Sequence, residues 1–267
     1  MKILITATPL KVCVSGLVLL WLVSTAAQAQ QESLNYVVND GIITITGLKS
    51  GMTSVNFPQE IEGLPVTSIG RWAFRNANLR SIELPDGLLT IGDHAFQGTQ
   101  IGSISIPDSV LNIGRECFNT CANLESVKLP ENQRFTRIER ATFLGTSVKR
   151  ITIPDSVDFI GFDAFAQCSA LSSVIIGKGL VTIGGQAFKD APNLEEIIFM
   201  GNKPKLHSGV FSGISGEAVI RIQETSRGFD SFLEGIPVVT MGSVADFVTE
   251  GGIKYLPNNL NSKPDRI

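Results

Sequence analysis

Residues 104–118 read ISIPDSVLNIGRECF and residues 151–165 read ITIPDSVDFIGFDAF, identical at nine of fifteen positions. Residues 82–96, IELPDGLLTIGDHAF, carry the same pattern a third time. Working outward, an apolar-x-apolar pair opens each unit: Val55/Phe57, Ile82/Leu84, Ile104/Ile106, Val127/Leu129, Ile151/Ile153, Val174/Ile176, Ile197/Phe199 and Ile220/Ile222. After a first step of 27 residues, with the extra length near Glu60 to Pro65, the spacings are 22, 23, 24, 23, 23 and 23. A fixed period of this length marks a stacked repeat, and no single unit can bury its own apolar face.

Each column of the repeat has a physical role. The opening pair, rich in β-branched residues, is a short strand with one face inward. Pro85, Pro107, Pro130 and Pro154 follow it and help to end the strand, because proline donates no ladder hydrogen bond. A second column, Ile69, Ile91, Ile113, Ile138, Ile160, Ile183 and Leu206, is mostly followed by glycine, which is expected to permit a turn of positive φ. The phenylalanines 74, 96, 118, 143, 165, 188 and 211 then sit in a short helical turn that drives the ring into the coil. Eight stacked strands make a sheet roughly 34 Å long at ~4.8 Å per step.

The pattern I-x-I-P-x-S-V-x-x-I-G-x-x-A-F-x-x-C, carried by Ile104 to Cys121 and Ile151 to Cys168, resembles the BspA-like leucine-rich repeat. The resemblance covers residues 35–240. It implies a curved solenoid with parallel strands on one side and short helical or 3-10 turns on the other. It also implies an exported bacterial or protist surface protein, with adhesion to host matrix or to other cells. The fourth unit departs from the pattern: Glu131 to Arg134 add two residues and Glu139 replaces glycine.

The rest of the chain frames the array. Residues 1–29 read as a secretory signal, with Lys2 and Lys11 as the positive flank, an apolar run from Val12 to Val23 and an Ala27-Gln28-Ala29 cleavage pattern. Export, as a secreted, surface-associated or periplasmic protein without stable membrane insertion, is the expectation. Residues 30–53 read as an N-terminal hairpin cap, 54–222 as the repeats and 223–241 as a C-terminal cap in which Phe229, Phe232, Ile236 and Val238 close the last coil. Residues 242–267 form an extension whose Asp246–Tyr255 stretch reads as one strand or an amphipathic piece, followed by a polar tail from Pro257.

Composition narrows the function. The chain has 267 residues, 43% hydrophobic and 18% charged, enough for a large core. Without the signal, 20 basic groups face 25 acidic ones, a balance that argues against nucleic acid as a partner. Fifteen Phe against two Tyr and two Trp is core material. Cys117, Cys121 and Cys168 occupy columns otherwise filled by Ala, Thr and Val, and read as small buried hydrophobes.

Catalysis has little support, since His94 and His207 are the two histidines and lie in different columns, with no nucleophile-elbow or zinc motif. No cofactor or metal is expected. Asp86, Asp108, Glu131 and Asp155 form an acidic column that could hold calcium, but Pro-Asp is a common turn pair. Trp72 and His94, neighbours on the turn side, could stack a sugar.

Binding falls instead to the concave strand face, whose outward residues run Asn56, Glu83, Ser105, Lys128, Thr152, Ile175, Ile198, Arg221. Ile175 and Ile198 are apolar where polar residues are expected, and such an exposed pair can mark contact. The candidate site is Lys128, Arg150, Thr152, Ile175, Ile198 and Arg221, and the candidate partner an extracellular or cell-surface protein or glycoprotein. Two other readings stay open: a self-associating matrix protein, and a polysaccharide-active parallel β-helix enzyme.

Overall fold

A computed structural model describes residues 33–49, 51–241, 248–250 and 253–255. They form a parallel β-solenoid of about eight turns. The signal reading, most of the C-terminal extension and its polar tail fall outside the described residues. Of the extension, Val248–Glu250 and Ile253–Tyr255 are described as an antiparallel pair.

The apolar pairs line up along one side as the first sheet, hydrogen-bonded in three segments: Ser54–Asn56 with Ser81–Glu83, Ser103–Ser105 with Ser126–Lys128, and Arg150–Ile153 through Val219–Ile222 to Ile236–Thr240. Alternation does the sorting. Ile104 and Ile106 are buried and Ser105 is exposed, and Ile151 and Ile153 flank exposed Thr152 in the same way. A second sheet of mostly two-residue strands runs from Ile42–Leu48 through Thr90–Ile91 and Asn112–Ile113, then from Arg137–Ile138 to Lys205–Leu206. Between the sheets the phenylalanine column forms one stack from Phe74 to Phe211. Successive ring centroids are 5.3–5.7 Å apart and the planes lie within 16° of parallel.

The turn side differs from the expected helical turns. Among the described residues there is no helix there but a run of turns, in which alternate N–H groups bond in different directions. The N–H groups of His94, Phe96 and Gly98 donate to Arg115, Cys117 and Asn119 of the next coil at 2.9 Å. Those of Ala95, Gln97 and Thr99 donate three residues back within their own coil. The alternation needs two left-handed residues four apart, such as His94 (φ 56°) and Gly98 (φ 70°), or Glu116 (54°) and Thr120 (56°). A helix cannot propagate through them. The turns therefore act as a third ladder between coils.

That third ladder carries the solenoid across its irregular unit. Around the fourth unit both β-ladders are interrupted: Asn112–Ile113 of the third unit does not pair with Arg137–Ile138 of the fourth, nor Ser126–Lys128 of the fourth with Arg150–Ile153 of the fifth, and the first ladder also lapses between Ser81–Glu83 and Ser103–Ser105. The turn bonds Glu116 to Arg140, Phe118 to Thr142 and Thr120 to Leu144 continue unbroken at 2.8–2.9 Å. The inserted residues are held by Asn132. Its Nδ2 donates to the carbonyls of Asp108 and Val110, and its Oδ1 accepts from the N–H groups of Arg134 and Phe135. Phe135 fills the widened coil and is fully buried.

The glycine column has a different cause from the one expected. Gly92, Gly114, Gly161 and Gly184 do not have positive φ; that conformation falls two residues later, at His94, Glu116, Asp163 and Gln186. A Cβ at Gly114 would lie 2.4 Å from the Asp93 nitrogen, and one at Gly92 2.7 Å from the Arg71 nitrogen. The glycines are there because neighbouring coils approach backbone to backbone. Glu139 is accommodated where the β-ladders part.

Hairpins close the stack. Leu34–Asn39 pairs antiparallel with Ile42–Leu48 through Asp40-Gly41, both of positive φ, and buries Leu34, Ile43 and Ile45. The extra residues of the first unit make a tighter hairpin, Glu60–Ile61 with Leu64–Pro65, that buries Ile61. At the other end Phe232–Leu233 pairs with Ile236–Thr240. Here Leu233 and Ile236 face inward, so Phe232, one residue out of phase, is 62% exposed and does not close the coil. Phe229 does, tilted against Phe199 at 5.2 Å.

Candidate functional site

The outward face of the first sheet is built by register. Thr152 stands opposite Ile175, Ile175 opposite Ile198, Ile198 opposite Arg221, and Arg221 opposite Val239. A parallel row follows from Arg150 through Ser173 and Glu196 to Val219. Lys128 pairs with Ser105 beyond the interruption. The structure thus brings Thr152, Ile175, Ile198 and Arg221 into one line, with Arg150 alongside and Lys128 across the break.

Exposure divides this face. Asn56, Glu83, Ser105, Lys128, Arg150 and Thr152 are exposed, whereas Ile175 and Arg221 are half-buried. Ile198, expected to be exposed, is 1% exposed. It lies between Ile175 and Arg221, and the ion pair from Arg221 Nε to Glu196 Oε1 (2.9 Å) runs along its flank. Ser173 Oγ donates to the other Glu196 oxygen at 3.3 Å. Ile198 supports the row and is not a contact residue.

The remaining candidates resolve into structural roles. Two members of the acidic column tie coils together: Asp108 Oδ1 accepts the Glu131 N–H and Asp155 Oδ1 the Lys178 N–H, both at 2.9 Å. Among the described residues no group of three acids, histidines or cysteines is placed to hold a metal. The Trp72 and His94 rings are 6.1 Å apart, and the Arg71 guanidinium already covers the tryptophan at 4.0 Å. Cys121 and Cys168 donate to the Phe96 and Phe143 carbonyls at 3.0 and 3.2 Å. Burial pushes both thiols up, and pushes Cys117 further. Low thiolate content makes them poor nucleophiles.

Residue-by-residue reading missed one feature. Where the Pro-Asp steps end, at Gly177-Lys178, Met200-Gly201 and Gln223-Glu224, a polar depression opens beside the row. The loss of proline from three successive units was the available signal.

The profile of the BspA type leucine rich repeat region matches residues 48–137 and 136–233, with six copies. No curated protein matches the chain. Among solved structures, the leucine-rich repeat protein of T. pallidum is 24% identical, over 73% of this chain and 81% of that one, with a TM-score of 0.48. A leucine-rich repeat protein from Bacteroides ovatus is 20% identical, over 78% and 77%, with a TM-score of 0.40. A leucine-rich cell surface protein from Faecalibacterium prausnitzii is 19% identical, over 80% and 94%, with a TM-score of 0.36. With the matched segments spanning nearly all of the solenoid, the chain belongs to the BspA type leucine-rich repeat family.

Proposed function

We propose that this chain is an exported, non-catalytic binding module whose outward first-sheet face holds a cell-surface or matrix protein or glycoprotein. The observation that carries the reading is the row itself. Arg150 and Thr152 are exposed on a regular strand face, half-buried Ile175 and Arg221 extend it toward the C-terminal end, and exposed Lys128 continues it across the break in the ladder. Parallel strands fix the spacing, so a partner meets side chains whose positions cost little further ordering. Export rests on the signal reading of residues 1–29.

The test is capture of a defined partner from matrix and cell-surface extracts by the chain and by a Lys128→Glu/Thr152→Glu variant. Both positions are exposed, so the variant should keep the wild-type circular dichroism. Loss of the partner by the folded variant supports the row as the contact surface. Equal capture by both moves the contact elsewhere.

A second reading, self-association end to end, is favoured by apolar side chains at both ends of the stack. Val37, Val38 and Ile42 are exposed on the first hairpin and Phe232 on the last. Sedimentation velocity across a hundredfold concentration range decides it: a concentration-dependent shift abolished by Phe232→Ser supports association, and a constant monomer removes it.

A further inference from the structure

We infer that the depression beside the C-terminal half of the first sheet is a binding site for an acidic monosaccharide unit, a hydroxylated ring with one carboxylate. This goes beyond the protein-binding reading and does not depend on it.

The first four complete repeats end their strands with proline and an acid, whose carboxylate in the second and fourth of them accepts an N–H from the next coil. In the next three units the proline ring is replaced by Gly177, Met200 and Gln223, and the first acid by Lys178. There a depression of about 340 Å³ is lined by Lys178, Met200, Asn202, Gln223, Thr225 and Ser226, together with Gly201. Gly201 is required for the approach, since a Cβ there would lie 2.5 Å from the Lys178 carbonyl. The volume is at the lower end of ligand sites, roughly 300–1,000 Å³, which suits a single sugar ring.

The lining selects the chemistry. Among the described residues Lys178 is its one charged side chain, its ammonium makes no ion pair, and no carboxylate lines the cavity. Asn202 Oδ1 accepts the Arg227 N–H at 2.9 Å, which fixes the amide and leaves its Nδ2 hydrogens as donors. Gln223 Nε2 has a long contact of 3.7 Å to the Met200 sulfur, which leaves hydrogen-bonding capacity in that amide too. The Ser226 hydroxyl is buried with no partner among the described residues, a state that normally calls for a ligand or water. One cation among amides and hydroxyls matches one carboxylate among ring hydroxyls. A phosphate, with more charge, calls for several cations or a nest of backbone N–H groups.

Titration of the isotope-labelled chain with glucuronate, N-acetylneuraminate, glucose and inorganic sulfate, followed by NMR, tests the site. At least one sugar acid should shift the Lys178, Asn202, Thr225 and Ser226 resonances with a Kd of about 1 mM, as expected for a small ligand in an open cavity. Glucose should bind at least tenfold more weakly. Lys178→Glu, at an exposed side chain, should weaken the acid at least tenfold, and Ser226→Ala should weaken it severalfold without altering the fold. Equal affinity for glucose, binding of sulfate alone, absence of shifts with both acids, or an unchanged Kd in both variants overturns the assignment. Because no partner protein is present, failure here leaves the strand-row reading standing.

Discussion

Replacing Gly114 by alanine tests how closely the coils approach. The residue has ordinary φ, so a purely conformational view predicts a neutral or slightly stabilising change, about 0.4–1 kcal/mol from a less flexible unfolded chain. The packing view predicts the reverse. The new Cβ would lie 2.4 Å from the Asp93 nitrogen, 2.5 Å from the Gly92 carbonyl carbon and 2.7 Å from the Asp93 Cα, and ordinary contact begins at 3.4 Å. All three are backbone atoms, so relief requires the coils to part by about 1 Å locally. The bonds that such parting stretches are Gly114 N–H to Ile91 (2.8 Å), Leu111 to Leu89 (2.9 Å) and Phe96 to Cys117 (2.9 Å). Weakening two or three bonds of about 1 kcal/mol net each, less the unfolded-state gain, leaves a loss of about 2 kcal/mol. Urea unfolding followed by circular dichroism measures it, with Gly87→Ala as control, because nothing lies within 4 Å of a Cβ there. A Gly114→Ala loss below about 0.5 kcal/mol, or one no larger than the control's, would refute the close-approach argument.

Four further outcomes are expected. Gln186, left-handed at φ 60°, should gain stability on change to glycine, about 0.5–1 kcal/mol after the entropic offset, and lose at least as much on change to valine, by the same unfolding measurement. Phe118→Ala, removing one ring from the middle of the stack, should cost about 3–5 kcal/mol in urea unfolding, and a loss under 1 would contradict a continuous core. The three buried cysteines should react with a thiol reagent at pH 8 only after unfolding, in keeping with thiols pushed up by burial. Asp163 is held above the usual carboxylate range chiefly by desolvation, against the pull of Arg140 and Lys189. A raised acid is destabilising when ionised, so Asp163→Asn should be slightly more stable than wild type near neutral pH, and the difference should vanish below the ordinary Asp range; an advantage that persists in acid would contradict it.

Period and burial were legible together in the sequence, because one residue type fills each column: the phenylalanines stack as their spacing implies, and the strand pairs face the core. The two-residue excess at Glu131 to Arg134 marked the unit on either side of which the two β-ladders break, but not the lapse of the first ladder between Ser81–Glu83 and Ser103–Ser105. The turn ladder was not legible, since left-handed positions here carry Trp72, His94, Glu116, Ala141, Asp163 and Gln186, residues with no common preference for that conformation. Their backbone is set by the bonds to the next coil, a constraint between repeats that no single repeat contains. The glycine column was visible but its cause was not, because close approach depends on the neighbouring coil. At the candidate site, register followed from the repeat, whereas the burial of Ile198 and the Arg221–Glu196 pair beside it depend on contacts between neighbouring strands that no single repeat contains.

Photo-cross-linking from opposite faces of the solenoid asks where the partner sits. A benzophenone maleimide is attached at Thr152→Cys on the first-sheet face and, separately, at Arg75→Cys on the turn side. Both native residues are exposed and Cys117, Cys121 and Cys168 are buried, so with Cys13 replaced by serine in both variants labelling is confined to the introduced cysteine. Binding through the strand row predicts partner adducts from position 152 and none from position 75. Adducts from position 75 alone would contradict it.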